Sequence, residues 1–367
     1  MNDWRSWLRL HLTPGLGRAA LFRLIGHFGS PAQALAATAH WKKLGGLRQD
    51  LAEGVPNERG RRFLEACERF QACGARLMTF QDADYPVLLK SIPDPPAILY
   101  LRGRLAANGR RLAVVGSRQP TPAARQWTER IAGELSMLGI EIVSGLARGI
   151  DAAAHRGGLD GPGGTIAVLG CGINRVYPPE HHRLFAQVEE QGAILSEYPP
   201  GVEPLAGHFP GRNRIISGLS QGVLVVEANR KSGSLITAEF ALDQGREVLA
   251  VPGGIDRSTS AGTNQLIKEG AHPVTELSDI TDVIWPGCSH SDPDPVAPGT
   301  LVPLSEPALL VLGLLGSEPQ YLDDLAGKSG LTPMALSAIL LHLELQGGAE
   351  SLPGARYIRG SKALHHL

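Results

Sequence analysis

Residues 111–118, RLAVVGSR, and residues 141–151, EIVSGLARGID, decide the fold of this chain. Each stretch begins with apolar residues, breaks at a glycine and is followed by a helical pattern. Similar apolar runs lie at residues 165–169, 193–195, 223–226 and 247–251, and helical patterns lie at residues 123–138, 179–190, 235–244 and 264–269. Apolar strands that alternate with helices indicate a parallel sheet covered on both faces. We therefore predict an α/β, Rossmann-like, doubly wound and mostly parallel sheet over residues 76–286.

The segments before and after this sheet predict smaller domains. Residues 1–75 contain short helical patterns, including residues 58–74, which indicates a small helical domain of the SAM or helix-hairpin-helix kind. The turn at residues 14–17, PGLG, could offer backbone amides to a phosphate, as in a helix-hairpin-helix. Because so short a motif is common between helices, we interpret it as a plain helix connection.

The C-terminal part predicts a linker and a second small domain. Residues 287–303 contain four prolines among Ser, Asp and Gly, and neither a helix nor a central strand tolerates that composition. Beyond this linker, residues 304–367 predict a winged helix, with helical patterns at 306–315, 321–329 and 333–346 and a hairpin at 349–358.

Composition limits the class of protein. The chain has 367 residues, 43% of them hydrophobic, and a formal net charge of −1, so a uniformly basic DNA binder is not expected. The four cysteines, Cys67, Cys73, Cys171 and Cys288, form no CxxC pair, and we expect reduced thiols and no metal site. No apolar run is long enough to span a membrane, and the N-terminus lacks a secretory pattern. A cytoplasmic protein without a cofactor is expected.

The candidate binding residues follow the predicted strands, because parallel sheets bind ligands at the carboxyl ends of their strands. Glycines there allow close backbone approach, helix starts offer free amides, and arginines suit phosphate. An aromatic ring beside arginines is typical of single-stranded nucleic-acid binding. The candidates from these loops are Gly116, Ser117, Arg118, Ser144, Gly145, Arg148, Phe209, Arg212, Asn213, Arg214, Ser232, Gly233, Ser234 and Asn264.

Several motifs together resemble the DNA processing protein A (DprA/Smf) family. They are GSR at 116–118, SGLARGID at 144–151, GCGINRVYPPEH at 170–181, HFPGRNRIISGLS at 208–220, SGSLITA at 232–238 and the segment from PGG at 252 to residue 271. The resemblance implies a non-enzymatic protein that binds and protects single-stranded DNA, forms homodimers and loads a RecA-type recombinase in natural transformation. A single-strand-binding protein is a further partner implied by it.

The same resemblance implies roles for individual residues. Arg118 is expected to hold a DNA phosphate, and the FPGRNR stretch from Phe209 to Arg214 is expected to line the groove. Arg175 lies in a loop that is often basic in the family and is expected to neutralise a phosphate. Gly211 departs from the family pattern, because many relatives are basic there, and this removes one expected phosphate contact.

Two other functions are alternatives to single-stranded DNA binding. The Pro252-Gly253-Gly254 turn resembles nucleotide phosphoribohydrolases of the lysine-decarboxylase-like class, but Gly262-Thr263 comes late and no Glu follows at the expected place. A transcription factor would read bases through residues 333–346, but these residues are mostly apolar and nearly free of basic side chains. No Walker, HExxH or GxSxG motif is present, and catalytic residues are not expected.

Overall fold

The computed structural model describes residues 3–45, 47–287, 305–316, 318–345 and 347–360. The predicted linker lies outside the described residues except for Gly287, as does the predicted helix end at residue 346. Within the described ranges, no helix combines the length and apolar character needed to cross a membrane.

Short helices form the N-terminal segment, as predicted, but they share a hydrophobic core with the sheet that follows. Trp7 and Leu24 are buried in the same cluster as Ile98 and Ile194 of the sheet. In the turn at residues 14–17, two amides bond within the turn itself, which favours the plain helix connection. The helices are α1 (Trp4–His11), α2 (Arg18–Phe28), α3 (Pro31–Ala36), α4 (Trp41–Gly45), α5 (Gln49–Glu53) and α6 (Arg61–Ala72).

A nine-stranded sheet forms the centre of the described chain, and it confirms the predicted mostly parallel, Rossmann-like fold. Its strands are β1 (Arg76–Thr79), β2 (Ile98–Gly103), β3 (Arg111–Val115), β4 (Glu141–Ser144), β5 (Thr165–Leu169), β6 (Ala193–Ser196), β7 (Gly222–Val225), β8 (Glu247–Ala250) and β9 (His272–Pro273). They are ordered β1-β2-β6-β5-β4-β3-β7-β8-β9, and only β1–β2 and β2–β6 pair antiparallel. The six predicted strands agree with β3–β8 to within one residue, whereas β1, β2 and β9 were not predicted.

Helices cover both faces of this sheet. They are α7 (Val87–Lys90), α8 (Pro122–Met137), α9 (Ile150–Gly158), α10 (His182–Gln191), α11 (His208–Gly218), α12 (Gly233–Asp243), α13 (Ala261–Lys268) and α14 (Leu277–Ile284). Strand β3 pairs with β4 on one side and with β7 on the other, so the strand order reverses there. Connections leave β3 and β7 in opposite directions at such a point, which opens a crevice at their carboxyl ends.

The C-terminal segment has its own core and the predicted winged-helix outline. It contains α15 (Glu306–Leu314), β10 (Gln320–Tyr321), α16 (Leu322–Ser329), α17 (Pro333–Leu345), β11 (Ala349–Leu352) and β12 (Arg356–Arg359). Polar side chains join it to the large sheet domain. Glu350 pairs with Arg125 and accepts a hydrogen bond from Gln126 at 2.9 Å, and Glu318 pairs with Arg257 at 2.9 Å.

A buried histidine ties α9 to the sheet. His155 is fully buried; its Nε2 accepts a hydrogen bond from the Leu146 amide at 3.2 Å, and its Nδ1 lies 2.7 Å from the Thr165 hydroxyl. Burial lowers the pKa of His155 to about 3, and nearby cationic groups act in the same direction. The ring is therefore neutral in the folded protein at pH 5, where an unfolded histidine is charged.

We expect acid to destabilise the fold through this histidine. In the unfolded chain this histidine binds a proton near pH 6.5, whereas in the folded protein His155 binds one only near pH 3. The contribution of His155 to the free energy of unfolding is therefore complete above pH 6.5 and is lost as the pH falls. Between pH 7 and pH 5 the free energy of unfolding should fall by about 2 kcal/mol from this residue. Urea unfolding at both pH values measures the change.

The variant His155→Gln should show a correspondingly smaller fall between the two pH values, whatever its stability at pH 7. His182→Gln is the matched control, because His182 is exposed and should leave the fall unchanged. An identical pH dependence in His155→Gln and the unaltered protein would contradict the assignment.

Candidate nucleic-acid interface

A cleft of about 900 Å³ opens beyond the carboxyl end of β3, beside the first turns of α11 and α12. We call it the central cleft. It occupies the edge of the sheet at which the candidate residues were expected. Those that line it are Gly116, Ser117, Arg118, Arg148, Phe209, Arg212, Asn213, Ser232, Gly233 and Ser234.

The loops after β3 and β4 are packed directly against each other. The Ile150 amide donates a hydrogen bond to the Ser117 carbonyl at 3.0 Å. Gly149 has a φ of +77°, and a Cβ at this position would lie 2.3 Å from that same carbonyl oxygen. Only glycine satisfies both conditions, so the sequence ARGID places the Gly116–Arg118 turn at a fixed distance from α9.

Side chains from two helices fix the loop after β4. Asp151, at the start of α9, accepts hydrogen bonds from the amides of Gly145 at 3.1 Å and Ala147 at 3.3 Å. His181 is hydrogen-bonded through Nδ1 to the Leu146 carbonyl at 3.0 Å, and Leu146 has an unfavourable φ of +55°. Burial raises the pKa of Asp151, and the positive charge of Arg212 opposes that shift.

Arg212 forms the floor of the central cleft. It is 5% exposed and donates hydrogen bonds to the carbonyls of Gly145, at 2.8 Å, and Val168. Burial lowers the pKa of Arg212, and the negative charge of Asp151 opposes that shift. A Cβ at position 145 would lie 2.5 Å from the guanidinium, so Gly145 makes room for it. Arg212 therefore holds α11 against the ends of β4 and β5.

Phe209 presents a half-buried ring between two guanidinium groups. Its centroid lies 5.6 Å from Cζ of Arg118 and 6.0 Å from Cζ of Arg212. Tyr177 lies beside it, with the ring centroids 5.7 Å apart, and lines the same cleft. Sequence reasoning did not select Tyr177, although it belongs to the GCGINRVYPPEH motif that follows β5. The cleft thus contains a pair of rings where one was expected.

The arginines at the rim differ in their partners. Arg118 is exposed and forms no ion pair with any of the residues that the structure describes. Arg148 is also exposed and pairs with exposed Glu180 at 2.5 Å. Exposed ion pairs contribute little free energy, so Arg148 can exchange Glu180 for another anion at small cost. The rim therefore offers an anion two guanidinium groups.

The far wall is the first turn of α12. Ser232 caps this helix by accepting a hydrogen bond from the Ser234 amide at 3.4 Å. Asn213 links α11 to it, because its side-chain amide donates to the Gly233 carbonyl at 3.3 Å. Backbone amides at a helix start favour an anion, so the wall opposite Arg118 is also suited to phosphate.

Arg214 does not line the cleft, which corrects the sequence-based expectation. It is 3% exposed, and its guanidinium contacts Glu197 at 2.8 Å and Asp94 at 3.2 Å. Arg18 of α2 pairs with the same two carboxylates. Because α11 turns about 100° per residue, Arg212 and Arg214 point to opposite sides of the helix. Arg214 therefore joins α11 to the segment that follows β6 and to the N-terminal helices.

Four further candidates also lie outside the lining of the central cleft. The Ser144 hydroxyl is buried and donates to the Val114 carbonyl at 2.6 Å, and Gly145 lies beneath Arg212. The Asn264 side chain bonds to both the amide and the carbonyl of Gly253, at 3.1 and 2.9 Å. Arg175 pairs with Glu203 at 2.5 Å and is not among the lining residues. Ser144, Gly145 and Asn264 thus use these polar groups to hold the backbone in place.

Within the described ranges, no three His, Cys, Asp or Glu side chains are grouped closely enough to hold a metal ion.

Comparisons with known proteins agree on one family. The DNA recombination-mediator protein A family profile matches residues 76–284, and the DprA winged helix domain profile matches residues 295–355. Protein Smf of Synechocystis is 35% identical over 400 residues, which cover 98% of this chain and 99% of that protein. The structure of DNA processing protein A from Streptococcus pneumoniae superposes with a TM-score of 0.69 at 34% identity, covering 77% of this chain and 99% of that chain.

A second solved structure bears on the cleft. DNA processing protein A from Helicobacter pylori, studied for its single-stranded DNA binding mode, superposes with a TM-score of 0.52 at 30% identity. The match covers 57% of this chain and 96% of that chain.

Substitution of Arg214 tests its structural role. Arg214→Gln leaves the carboxylate of Glu197, whose side chain is only 12% exposed, without its closest partner, and we expect it to lower the free energy of unfolding by about 3 kcal/mol. Arg18→Gln is the matched control: Arg18 contacts the same carboxylates but is 40% exposed, so about 1 kcal/mol or less is expected. Urea unfolding measures both, and equal losses would show that Arg214 is not the structural member of the pair.

Proposed function

The chain belongs to the DNA recombination-mediator protein A family, and from this premise we propose that its central cleft binds single-stranded DNA without sequence preference. One observation carries the proposal: the half-buried ring of Phe209 lies within 6 Å of the guanidinium groups of Arg118 and Arg212. A ring accepts any base by stacking, and a cation beside it neutralises the phosphate of the same nucleotide.

The residues of the central cleft have different roles in binding the strand. Phe209 and Tyr177 stack on successive bases, Arg118 and Arg148 contact phosphates, and the first turn of α12 offers amides to a further phosphate. Arg212 contributes its positive charge, but its Nη1 donates to backbone carbonyls and its Nε to the Asn213 side chain, so its role is to position Phe209. None of these groups needs a particular base edge. Duplex DNA binds less well because its bases are already stacked on each other.

The related proteins support the biological part of the proposal. The Helicobacter pylori relative is described as binding single-stranded DNA, and relatives in Bacillus subtilis and Streptococcus pneumoniae are named DNA processing proteins. We infer that this chain protects incoming DNA in the cytoplasm and loads a RecA-type recombinase during transformation, in competition with a single-strand-binding protein. A homodimer would present two clefts to one strand and bind it more tightly through avidity.

Two features favour binding over catalysis or duplex reading. The side chain of Asn264 is hydrogen-bonded to the amide and the carbonyl of Gly253, in the turn that resembles the phosphoribohydrolase motif. Asn264 supplies no carboxylate. Helix α17, in the position of a recognition helix, contains no Arg, Lys, Asn or Gln with which to read bases. We therefore propose a non-enzymatic role and place DNA binding in the central cleft. We also propose the division into residues 1–75, 76–286 and 304–367, with a linker between the last two; the separate hydrophobic core of the C-terminal segment supports the last of these units.

The variant Arg118→Ala should weaken binding to an oligo(dT) and reduce its salt dependence. Loss of one phosphate contact should make the slope of log K against log salt less steep by about 0.7. Fluorescence anisotropy across a salt series measures both quantities. Arg61→Ala is the control, because Arg61 is also exposed but lies on α6, outside the cleft. An unchanged slope in Arg118→Ala would contradict the proposed site.

The variant Phe209→Leu should produce the complementary result. Loss of stacking on one base should cost about 1–3 kcal/mol, a five- to 150-fold weaker affinity, with the salt slope unchanged because no charge is removed. The same anisotropy series measures it. A fall in slope without a fall in affinity at low salt would show that Phe209 acts only by positioning the arginines.

Recombinase loading needs a separate experiment. On a long single strand covered by a single-strand-binding protein, the unaltered chain should speed the assembly of a RecA-type recombinase, measured by its DNA-dependent ATP hydrolysis. The double variant Arg118→Ala, Phe209→Leu should not, because it cannot hold the strand. Normal strand binding without any acceleration would leave DNA binding intact and refute the delivery role.

A further inference from the structure

A second cavity lies on the other side of the loop that follows β3. Its volume is about 430 Å³, and it shares no lining residue with the central cleft. We call it the Trp127 pocket. None of the residues expected to bind DNA lines it. Its walls are α8, the loops after β7 and β8 and the end of β12, and its principal lining residues are Thr121, Trp127, Glu227, Gly253, Arg257 and Arg359.

The Trp127 pocket contains a buried carboxylate with one unused oxygen. Glu227 is 4% exposed, and its Oε2 accepts hydrogen bonds from the amide of Thr121 at 2.9 Å and from its hydroxyl at 3.2 Å. Among the described residues, Oε1 of Glu227 has no hydrogen-bond partner. A buried acceptor without a donor is unfavourable, so Glu227 is suited to receive an N–H group from a ligand.

The remaining walls of the pocket are a ring and cations. Trp127 is half-buried and offers a flat apolar surface large enough for a heterocycle. Arg130, Arg257 and Arg359 outnumber the single carboxylate of Glu227 among the charged lining residues. Nε of Arg359 is buried and unpartnered in the described chain, while its Nη2 donates to the Leu312 carbonyl at 3.0 Å.

The other two arginines are available as well. Arg257 pairs with Glu318 at 2.9 Å and Arg130 pairs with Glu134 at 2.8 Å, but all four side chains are at least one-third exposed. Such pairs contribute little free energy and can exchange the carboxylate for a phosphate.

We propose that the Trp127 pocket binds a nucleotide whose base carries an exocyclic amino group. The base stacks on Trp127, the amino group donates to Oε1 of Glu227, and the phosphate contacts Arg257 and Arg359. A carboxylate accepts hydrogen bonds from the amino groups of adenine and cytosine but not from the carbonyl oxygens of hypoxanthine and uracil. A free nucleotide and the terminal nucleotide of a DNA strand present the same chemistry to this pocket.

The pocket joins two parts of the chain. Arg359 and Gly360 follow the hairpin of the winged helix, whereas Trp127 and Glu227 belong to the large sheet domain. A bound nucleotide would add contacts to the polar ones made by Glu350 and Glu318, and it would hold the winged helix against α8. The site is therefore distinct in place from the proposed DNA cleft.

Matched ligands test the proposal on the full-length protein. AMP and IMP differ in an amino group against a carbonyl at C6 and in a bare nitrogen against an N–H at N1, and CMP and UMP differ in the same way at C4 and N3. By isothermal titration calorimetry we expect AMP and CMP to bind at least tenfold more tightly than IMP and UMP. Adenosine, which lacks the phosphate, should also bind at least tenfold more weakly than AMP. Equal binding of each amino and carbonyl pair, or no binding of any of the four, would overturn the proposal.

A substitution should reverse the preference. Glu227→Gln keeps the shape and an acceptor for Thr121 but adds an NH₂ donor, so the ratio of AMP to IMP affinity should fall at least tenfold. Trp127→Leu, which removes the ring and leaves the carboxylate, should weaken both nucleotides alike. Circular dichroism and oligo(dT) binding confirm that each variant is folded, since neither residue lines the central cleft. An unchanged AMP to IMP ratio in Glu227→Gln would refute the role of the carboxylate.

Competition separates this site from the DNA cleft. Oligo(dT) carries no amino group, so a saturating amount should leave AMP binding unchanged; displacement of AMP would place it in the central cleft and overturn the proposal. An oligo(dT) ending in one dA should compete with AMP if strand ends are the natural source. If it does not compete while AMP still binds, the natural source is a free nucleotide.

Discussion

The central cleft depends on one buried cation. Arg212 spans from α11 to the carbonyls of Gly145 and Val168, at the ends of two neighbouring strands. Its charge is balanced by buried Asp151, which in turn holds the loop after β4. Neither group is stable at this depth without the other. These hydrogen bonds fix Arg212 on α11. Phe209 lies one helical turn earlier on the same helix and is therefore held facing the opening of the central cleft.

Rigidity follows from this arrangement. The loops after β3 and β4 touch through Gly149, the loop after β4 is pinned by His155 and His181, and Asn213 ties α11 to α12. The backbone that carries Phe209 and the rim arginines is therefore in place before a ligand arrives. A site of this kind loses little free energy to ordering its own backbone, which favours tight binding by few contacts.

Much of this architecture could be predicted from the sequence, and the failures have physical causes. Strands β3–β8 are buried apolar runs ending at glycine or a polar residue, which is why they were found to within a residue. Strands β1 and β2 pair antiparallel before the regular alternation of strand and helix begins, and β9 has only two residues. Gly116–Arg118 and Phe209 could be placed because each follows a strand or begins a helix. The burial of Arg214 could not be foreseen, because its partners, Asp94 and Glu197, are distant in sequence.

The order of the strands along the chain also determines when the central cleft can form during protein synthesis. Its walls are drawn from residues 115–119, 147–151, 204–216 and 229–237 together with Tyr177, and the wall at 229–237 rests on β7, which must be flanked by β8 to be buried. The ribosome synthesises the chain from the N-terminus, so a growing chain contains Arg118 long before it contains the first turn of α12. A chain that ends before β8 leaves one side of β7 unpaired, and the α12 wall of the central cleft then rests on an exposed strand edge.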